Sequence, residues 1–173
     1  FIHRKIFVNE QKISSTFREI IFSDYAELYS FLQFNDRAEI KDTFNPFPFN
    51  HATAELITQQ PNLDKYYVCF NGVRLIGFSM LRGWDEGYVE PSFGIVIGIR
   101  YQRQGYGKSL LQYTIQQAQK MGCPSIRLSV IEDNWVAFQL YRNAGFNVFE
   151  KQTIHVNHKQ KTKVLMRLRL VKE

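Results

Sequence analysis

The chain has 173 residues, of which 45% are hydrophobic and 22% are charged. This length supports one well-buried core rather than two, so we expect a single domain over residues 1–173. No apolar run approaches the ~20 residues of a membrane span, and residues 1–5 lack a secretory signal, which leaves a cytoplasmic location by default. The net charge of +6 comes from positive residues spread along the chain. Their one concentration, residues 158–163, we interpret as a solvated hairpin loop, and we expect neither nucleic acid nor a membrane as a partner.

The first half of the chain is predicted to form strands and helices of the fold. Residues 1–12 are compatible with an extra edge strand, residues 16–22 with a strand, and Ser23 with the cap of a helix that follows. Asn50 is expected to cap a second helix. Residues 65–81 then form two strands around Asn71-Gly72, a pair that favours the tight turn of a β-hairpin.

The loop at residues 44–50 lies between the two predicted helices and alternates phenylalanine with proline and asparagine. Its prolines stiffen it in an extended form. One interpretation is a hydrophobic plug that fixes the helices, because buried aromatic side chains usually serve packing. The other is a wall of a substrate pocket, formed by Phe44, Asn45, Phe47 and His51.

A glycine-rich turn at Gly105 and Gly107 follows the strand-like run at residues 93–97 and precedes a helical pattern at residues 108–121. Glycines allow the backbone to approach an anion closely, and the N-terminus of the next helix adds partial positive charge. Arg103 and Lys108 add formal positive charge. The turn therefore indicates a phosphate site, although such glycines often only reverse the chain.

The segment after the helix alternates polar and apolar residues over 125–131, as a strand does. Asn134 then opens a second helix that stops at Gly145, and a further strand begins at Phe146. Tyr141 lies seven residues after Asn134, close to two helical turns, so both side chains can project from one face.

In these two motifs, Gln102-x-x-Gly105-x-Gly107 and Asn134-x-x-Ala137-x-x-Leu140-Tyr141-x-x-x-Gly145-Phe146, the chain resembles the GNAT superfamily of N-acyltransferases. The resemblance covers roughly residues 16–170 in element order and is strongest over 93–149. It implies a mixed α/β fold with a central twisted sheet of six or seven strands flanked by helices.

The resemblance also implies acetyl-CoA as cosubstrate and no metal. Backbone groups of the strand would hold the pantetheine arm, the turn would hold the pyrophosphate, and Asn134 would contact the cofactor arm. Tyr141 would give a proton to the leaving sulfur. The cofactor positions implied in this way are Ile95, Val96, Ile97, Gln102, Arg103, Gln104, Gly105, Tyr106, Gly107, Lys108, Ser109, Asn134, Ala137 and Tyr141.

A P-loop is the rival interpretation of the turn, because Gly107-Lys108-Ser109 matches the end of G-x-x-x-x-G-K-[ST]. Gln102 occupies the position of the first glycine, however, and without that glycine the loop wraps a phosphate less well. A nucleotide hydrolase would also leave the motif from Asn134 to Phe146 unexplained.

The general base is the weakest point of the predicted site. An alkylamine with a pKa of ~10.4 must lose a proton before it attacks a thioester. Many relatives carry a glutamate on the strand before the turn, but residues 93–97 contain no carboxylate. Glu90 is the first candidate, with Glu86, Asp85 and His51 behind it. The resemblance makes the backbone N–H of Ile97 the candidate donor to the oxyanion.

The sequence thus predicts an N-acetyltransferase, monomeric or homodimeric, that acts on a primary amine. Small amines, amino sugars and protein N-termini all stay open as acceptors. The missing strand carboxylate keeps a second hypothesis open, a module that binds acyl-CoA without turnover.

Overall fold

The computed structural model describes residues 15–59, 62–156 and 159–170. Within these ranges one mixed sheet of seven strands has the order β1-β2-β3-β4-β5-β7-β6. Neighbouring strands are antiparallel except for the parallel pair β4 and β5. The strands are β1 Ser15–Glu19, β2 Lys65–Asn71, β3 Arg74–Arg82, β4 Ser92–Ile97, β5 Ser125–Ile131, β6 Asn147–Val156 and β7 Lys159–Arg169.

Helices cover both faces of this sheet, as predicted, because each face presents apolar side chains that must be buried. They are α1 Tyr25–Phe34, α2 Ala38–Lys41, α3 His51–Thr58, α4 Tyr106–Lys120 and α5 Trp135–Asn143. On one face, Leu28 and Ile57 of α1 and α3 share a core with Phe78 of β3. On the other, Leu110 of α4 shares a core with Leu128 of β5.

The sheet opens between β4 and β5. These two strands form a single paired position, Ser92 opposite Arg127. On its other edge β4 is paired with β3 along its whole length, from Ser92 to Ile97. β5 is likewise fully paired with β7. The two strands therefore separate after their first residues, and a cleft opens in the middle of the sheet.

Three local predictions need correction. Ser23 does not cap α1, because it lies inside a 3₁₀ turn at Phe22–Asp24, before which Ile21 donates its N–H to the Asp24 carboxylate. α4 begins at Tyr106 rather than Lys108, since Gly105 is its N-cap. The predicted loop at 158–163 is wrong, because β7 already starts at Lys159. The edge strand predicted at 1–12 lies outside the described residues.

A buried hydroxyl pair fixes α4 to the sheet. The hydroxyls of Ser79 on β3 and Thr114 on α4 lie 2.6 Å apart, and both residues are fully buried. Thr114 Oγ1 donates its proton to the carbonyl of Leu110 at 2.8 Å, so the Ser79 hydroxyl donates to Thr114. This bond sets the position of the helix that carries the glycine-rich turn.

Because of the direction of this bond, removal of the Thr114 hydroxyl and removal of the Ser79 hydroxyl should lower the free energy of unfolding by different amounts. We expect Thr114→Val to cost about 1–3 kcal/mol in free energy of unfolding, because it leaves the Ser79 hydroxyl buried without its acceptor. Ser79→Ala leaves every remaining proton donor paired and should cost less. The double variant should cost less than the sum of the two. Urea unfolding of all three variants measures these values, and a larger loss for Ser79→Ala would contradict the assignment.

Candidate active site

The space between the separated strands is a cleft of about 340 Å³. It lies between β4, β5, α2 with the loop after it, the glycine-rich turn and α5. Its lining residues are Glu39, Ile40, Thr43, Phe44, Phe93, Gly94, Ile95, Val96, Ile97, Gln102, Arg103, Gly107, Ser129, Val130, Asn134, Val136, Ala137, Leu140 and Tyr141. Most of the predicted cofactor positions are thus brought to one place.

The backbone of β4 presents unpaired groups to this cleft. In an antiparallel pair, backbone groups point to the partner at every second residue. The N–H of Gly98 bonds to the carbonyl of Ile76, which continues the ladder between β4 and β3. Residues 96 and 94 therefore face β3, whereas Ile95 and Ile97 face the side from which β5 has departed. Of the three predicted strand positions, Ile95 offers its N–H and its carbonyl to a ligand, Ile97 offers its N–H, and Val96 also belongs to the cleft lining.

The glycine-rich turn lies at the end of this open strand edge. Gly105 has a φ of +91° and a Cβ built there would meet nothing within 4 Å, so this glycine is needed for its conformation. Gly107 lies inside α4, where an added Cβ would be 3.7 Å from Ile97 and 3.9 Å from Leu140. Gly107 therefore forms part of the cleft wall. Gln102 ties the turn to β4 through a 3.1 Å bond from its Nε2 to the carbonyl of Ile97.

The other turn residues lie beside the cleft rather than in its lining. Gln104 donates to the carbonyl of Arg100, and Tyr106 packs edge-on against Tyr101. Gly105, Lys108 and Ser109 are exposed at the helix N-terminus. Arg103, which does line the cleft, has a φ of +59°, the one positive value at a non-glycine position among the described residues.

α5 forms the opposite wall. Asn134 caps it by accepting the N–H of Ala137 at 3.3 Å, which leaves the side-chain NH₂ free to donate toward the cleft. Ala137, Leu140 and Tyr141 follow on the cleft side. The cap and the two-turn spacing therefore place Asn134 and Tyr141 in the same cleft, as the sequence predicted.

Tyr141 is 7% exposed and packs against Phe93 and Phe146. In the described part of the chain its hydroxyl has no hydrogen-bond partner, although the residue lines the cleft. Burial raises the pKa of Tyr141 above its usual value, so the hydroxyl keeps its proton at neutral pH. It is thus an available proton donor.

The loop at residues 44–50 divides between the two roles predicted for it. Phe44 lines the cleft, and Asn45 lines a neighbouring cavity. Phe47 instead stacks on Phe78 at 6.3 Å in the core. His51 lies at the exposed start of α3, 3.8 Å from Glu55. Of the four predicted substrate-pocket residues, the structure therefore brings Phe44 to the cleft and Asn45 to the neighbouring cavity, and it leaves Phe47 and His51 outside both.

Glu90 is held away from the cleft by a two-point ion pair with Arg167, at 2.7 and 3.0 Å. Ser125 donates to the same carboxylate at 2.6 Å. Burial opposes its charge, but the bonds from Arg167 and Ser125 outweigh burial and lower the pKa of Glu90 below its usual range. Because a carboxylate so paired accepts a proton poorly, the geometry argues against our choice of Glu90 as base and gives it a structural role.

Two of the reserve candidates, Asp85 and Glu86, also lie outside the cleft lining. Asp85 accepts the N–H groups of Leu63 and Asp64, at 2.9 and 3.1 Å. Glu86 lies 3.6 Å from Arg82. The carboxylate in the cleft lining is Glu39 of α2, and Ser129 of β5 supplies a hydroxyl. We missed Glu39 because α2 has only four residues and no helical periodicity of its own.

Neither metal binding nor a membrane span is apparent in the described residues. They contain no group of three or more His, Cys, Asp or Glu side chains placed to hold a metal ion. None of the described helices is long and apolar enough to cross a membrane.

A sequence model of the acetyltransferase (GNAT) family matches residues 28–146, which include β2 to β5 and all of α5. The chain belongs to the acetyltransferase (GNAT) family. The predicted family and fold class are thereby confirmed, and this membership is incompatible with the P-loop interpretation of the glycine-rich turn.

Individual GNAT proteins are similar to this chain to different extents. The [ribosomal protein bS18]-alanine N-acetyltransferase of Escherichia coli K12 is 40% identical over 55 residues, which are 32% of this chain and 37% of that protein. N-alpha-acetyltransferase 30 of Dictyostelium discoideum is 27% identical over 145 residues, 80% of this chain and 77% of that protein. The structure of yncA from Salmonella typhimurium with its cofactor acetyl-CoA has a TM-score of 0.76 at 17% identity, over 92% of this chain and 96% of that one.

The ion pair of Glu90 predicts a pH-dependent stability contribution. Its lowered pKa means that the carboxylate stabilises the fold above its unfolded-state pKa of ~4.3, and that this is lost as the pH falls through the folded-state value. We expect Glu90→Gln to cost about 1 kcal/mol at pH 7 and progressively less below pH ~4.

Thermal unfolding of the wild type and of Glu90→Gln, at pH 7 and below pH ~4, measures this difference in stability. Glu86→Gln is the matched control. If Glu90 were the base instead, Glu90→Gln would abolish turnover while stability stayed unchanged.

Proposed function

We propose that this GNAT protein transfers an acetyl group from acetyl-CoA to a primary amine. The observation that carries the proposal is the open backbone edge of β4 at Ile95 and Ile97, which ends at the glycine-rich turn and faces Tyr141 across the cleft. A pantetheine arm carries amide groups, and such an edge pairs with them as a neighbouring strand would. The name of the yncA structure, with acetyl-CoA as its cofactor, agrees with this choice of cosubstrate.

The residues fit the parts of the cofactor in sequence along the cleft. The exposed N–H groups at the start of α4, with the positive end of the helix and Arg103, would hold the pyrophosphate. Ile95, Ile97 and the Asn134 amide would hold the arm. This order directs the thioester toward the β5 side of the cleft, where Tyr141 and Ser129 lie.

The reaction forms a C–N bond, breaks the C–S bond and moves two protons. Acetyl-CoA supplies an activated acyl group with thiolate as the leaving group. The N–H of Ile97 is placed to stabilise negative charge that develops on the carbonyl oxygen. Tyr141 donates its proton to the departing sulfur. The protonated amine gives up two protons to water or to a base, and one of them replaces the proton that Tyr141 has given to the sulfur.

The missing strand carboxylate favours amines that lose a proton easily. An α-amine has a pKa of ~7.7–8.0 and is partly neutral at pH 7, whereas an alkylamine at ~10.4 is almost fully charged. Glu39 and Ser129 are two polar residues of the lining from which a water relay can start. We therefore favour an α-amine acceptor, which agrees with the names of the bS18-alanine enzyme and N-alpha-acetyltransferase 30.

A module that binds acyl-CoA without turnover is the alternative. The hydroxyl of Tyr141, which has no hydrogen-bond partner among the described residues and belongs to the cleft lining, argues for an enzyme, because a module that only binds has no use for a proton donor. Release of free CoA thiol over a panel of α-amines and alkylamines separates the two. Cytoplasmic location and a monomeric or homodimeric state stay predictions from the sequence.

Tyr141→Phe removes only the hydroxyl and keeps the ring against Phe93 and Phe146. We expect turnover to fall about 100-fold, the lower end for loss of a general acid, because a thiolate is already a tolerable leaving group. Binding of acetyl-CoA, measured by titration calorimetry, should change little. Phe138→Leu, also in α5, is the control for loss of packing. Unchanged turnover in Tyr141→Phe, with chemistry shown to be rate-limiting, would remove this residue from the mechanism.

Acetyl-CoA at 100 times its dissociation constant should stabilise the protein by ~2.7 kcal/mol, about 5–10 °C in Tm. Gly107→Val should abolish most of this shift, because its γ-carbons extend from the cleft wall into the cofactor's path. The helix itself should tolerate valine better than glycine. Gln116→Val, on the exposed side of α4, is the matched control. A Tm shift with ATP and magnesium but none with acetyl-CoA would contradict the proposed cosubstrate.

A further inference from the structure

A second cavity of about 440 Å³ adjoins the cleft and shares Thr43, Ser129 and Val130 with it. We call it the lysine cavity, because Lys41, Lys159, Lys161 and Lys163 line it together with one carboxylate, Asp42. Its other lining residues are Thr43, Asn45, Ser129, Val130, Ile131, Ile154 and Val156.

The register of the sheet explains why three lysines meet there. Side chains of a strand alternate between its two faces, so positions 159, 161 and 163 of β7 share one face. Lys163 lies opposite Ile131 of β5, and Lys159 lies opposite Val156 of β6. Lys163 is thus next to the strand that borders the cleft, and Lys159 is about 13 Å farther along β7.

Two of the four lysines have no carboxylate partner among the described residues. Lys41 pairs with Asp36 and Lys161 pairs with Asp133, both at 2.8 Å. Within residues 15–59, 62–156 and 159–170, no salt bridge involves Lys159 or Lys163. Asp42 offsets part of their charge, but the paired and unpaired lysines together leave this cavity positive.

We propose that the lysine cavity binds an anionic part of the acceptor, so that the preferred substrate is an amine that carries carboxylate groups. This inference rests on the proposed function. An acceptor whose amine reaches the cleft beside Ser129 places its next groups over Lys163, and a longer acceptor continues toward Lys159. Positively charged acceptors such as polyamines or arginine-rich peptides are disfavoured, because the same ammonium groups repel them.

The test is a comparison of matched peptides. Each begins with alanine, followed by three glutamates, three glutamines or three arginines, and kcat/KM is measured from CoA release. We expect the wild type to prefer the glutamate peptide over the glutamine peptide by about fivefold or more. The double variant Lys159→Gln/Lys163→Gln should lose this preference and keep its activity on the glutamine peptide within about twofold.

Two further variants sharpen the comparison. Lys159→Glu/Lys163→Glu should reverse the preference toward the arginine peptide. Lys120→Gln, which removes the same charge at the far end of α4, should change nothing. Free glutamate and aspartate, set against glutamine, form a separate arm: turnover of these amino acids identifies a small acceptor, and turnover of the peptide alone identifies a polypeptide N-terminus.

Equal or better turnover of the glutamine and arginine peptides by the wild type would overturn the inference and leave the proposed function intact. If no acceptor is turned over, the lysine cavity is tested by binding alone. The same peptides are labelled at their C-termini, and their binding to CoA-saturated protein is measured by fluorescence anisotropy. Lysine-dependent binding of the glutamate peptide supports the lysine cavity although the proposed enzyme activity has failed. Equal binding of all three peptides overturns it.

Discussion

The separation of β4 from β5 is the constraint on which the rest of the structure depends. A parallel pair inside a sheet normally satisfies its backbone groups by pairing along its length. Here pairing stops at Ser92 and Arg127, while the outer edges of both strands stay fully paired. The open edge of β4 is therefore exposed in the middle of the sheet, where it is flanked by two helix N-termini. The whole site follows from this interruption.

The two helices around the opening contribute different chemistry for reasons visible in their first turns. α4 begins at a glycine with positive φ and presents free N–H groups, which suits an anion. α5 begins at an asparagine whose oxygen is used for capping and whose NH₂ is left to donate. The Ser79–Thr114 pair joins α4 to β3, the strand with which β4 is paired.

The parts of the site that depend on local sequence could be predicted. Asn134 and Tyr141 follow from one helix and its cap, and Gly105 and Gly107 follow from a strand–turn–helix pattern. Parts that depend on distant pairing could not. Glu90 and Arg167 are 77 residues apart, so their ion pair gave no signal in the chain around Glu90. The lysines of β7 alternate as in a strand, but the residues between them, Gln160 and Thr162, are also polar. A segment with no apolar face is typical of a loop, and only the register with β6 shows that it is a strand.

The fold's hydrogen-bonded ladder falls into two blocks, β1 to β4 and β5 to β7, which meet at one paired position. A ligand arm that bonds to β4 while touching α5 fills the role of the absent strand and completes the sheet. Binding then joins the two blocks, and hydrogen exchange of the backbone amides should slow in both blocks together. The bound ligand would thus occupy a strand position that the chain itself leaves empty.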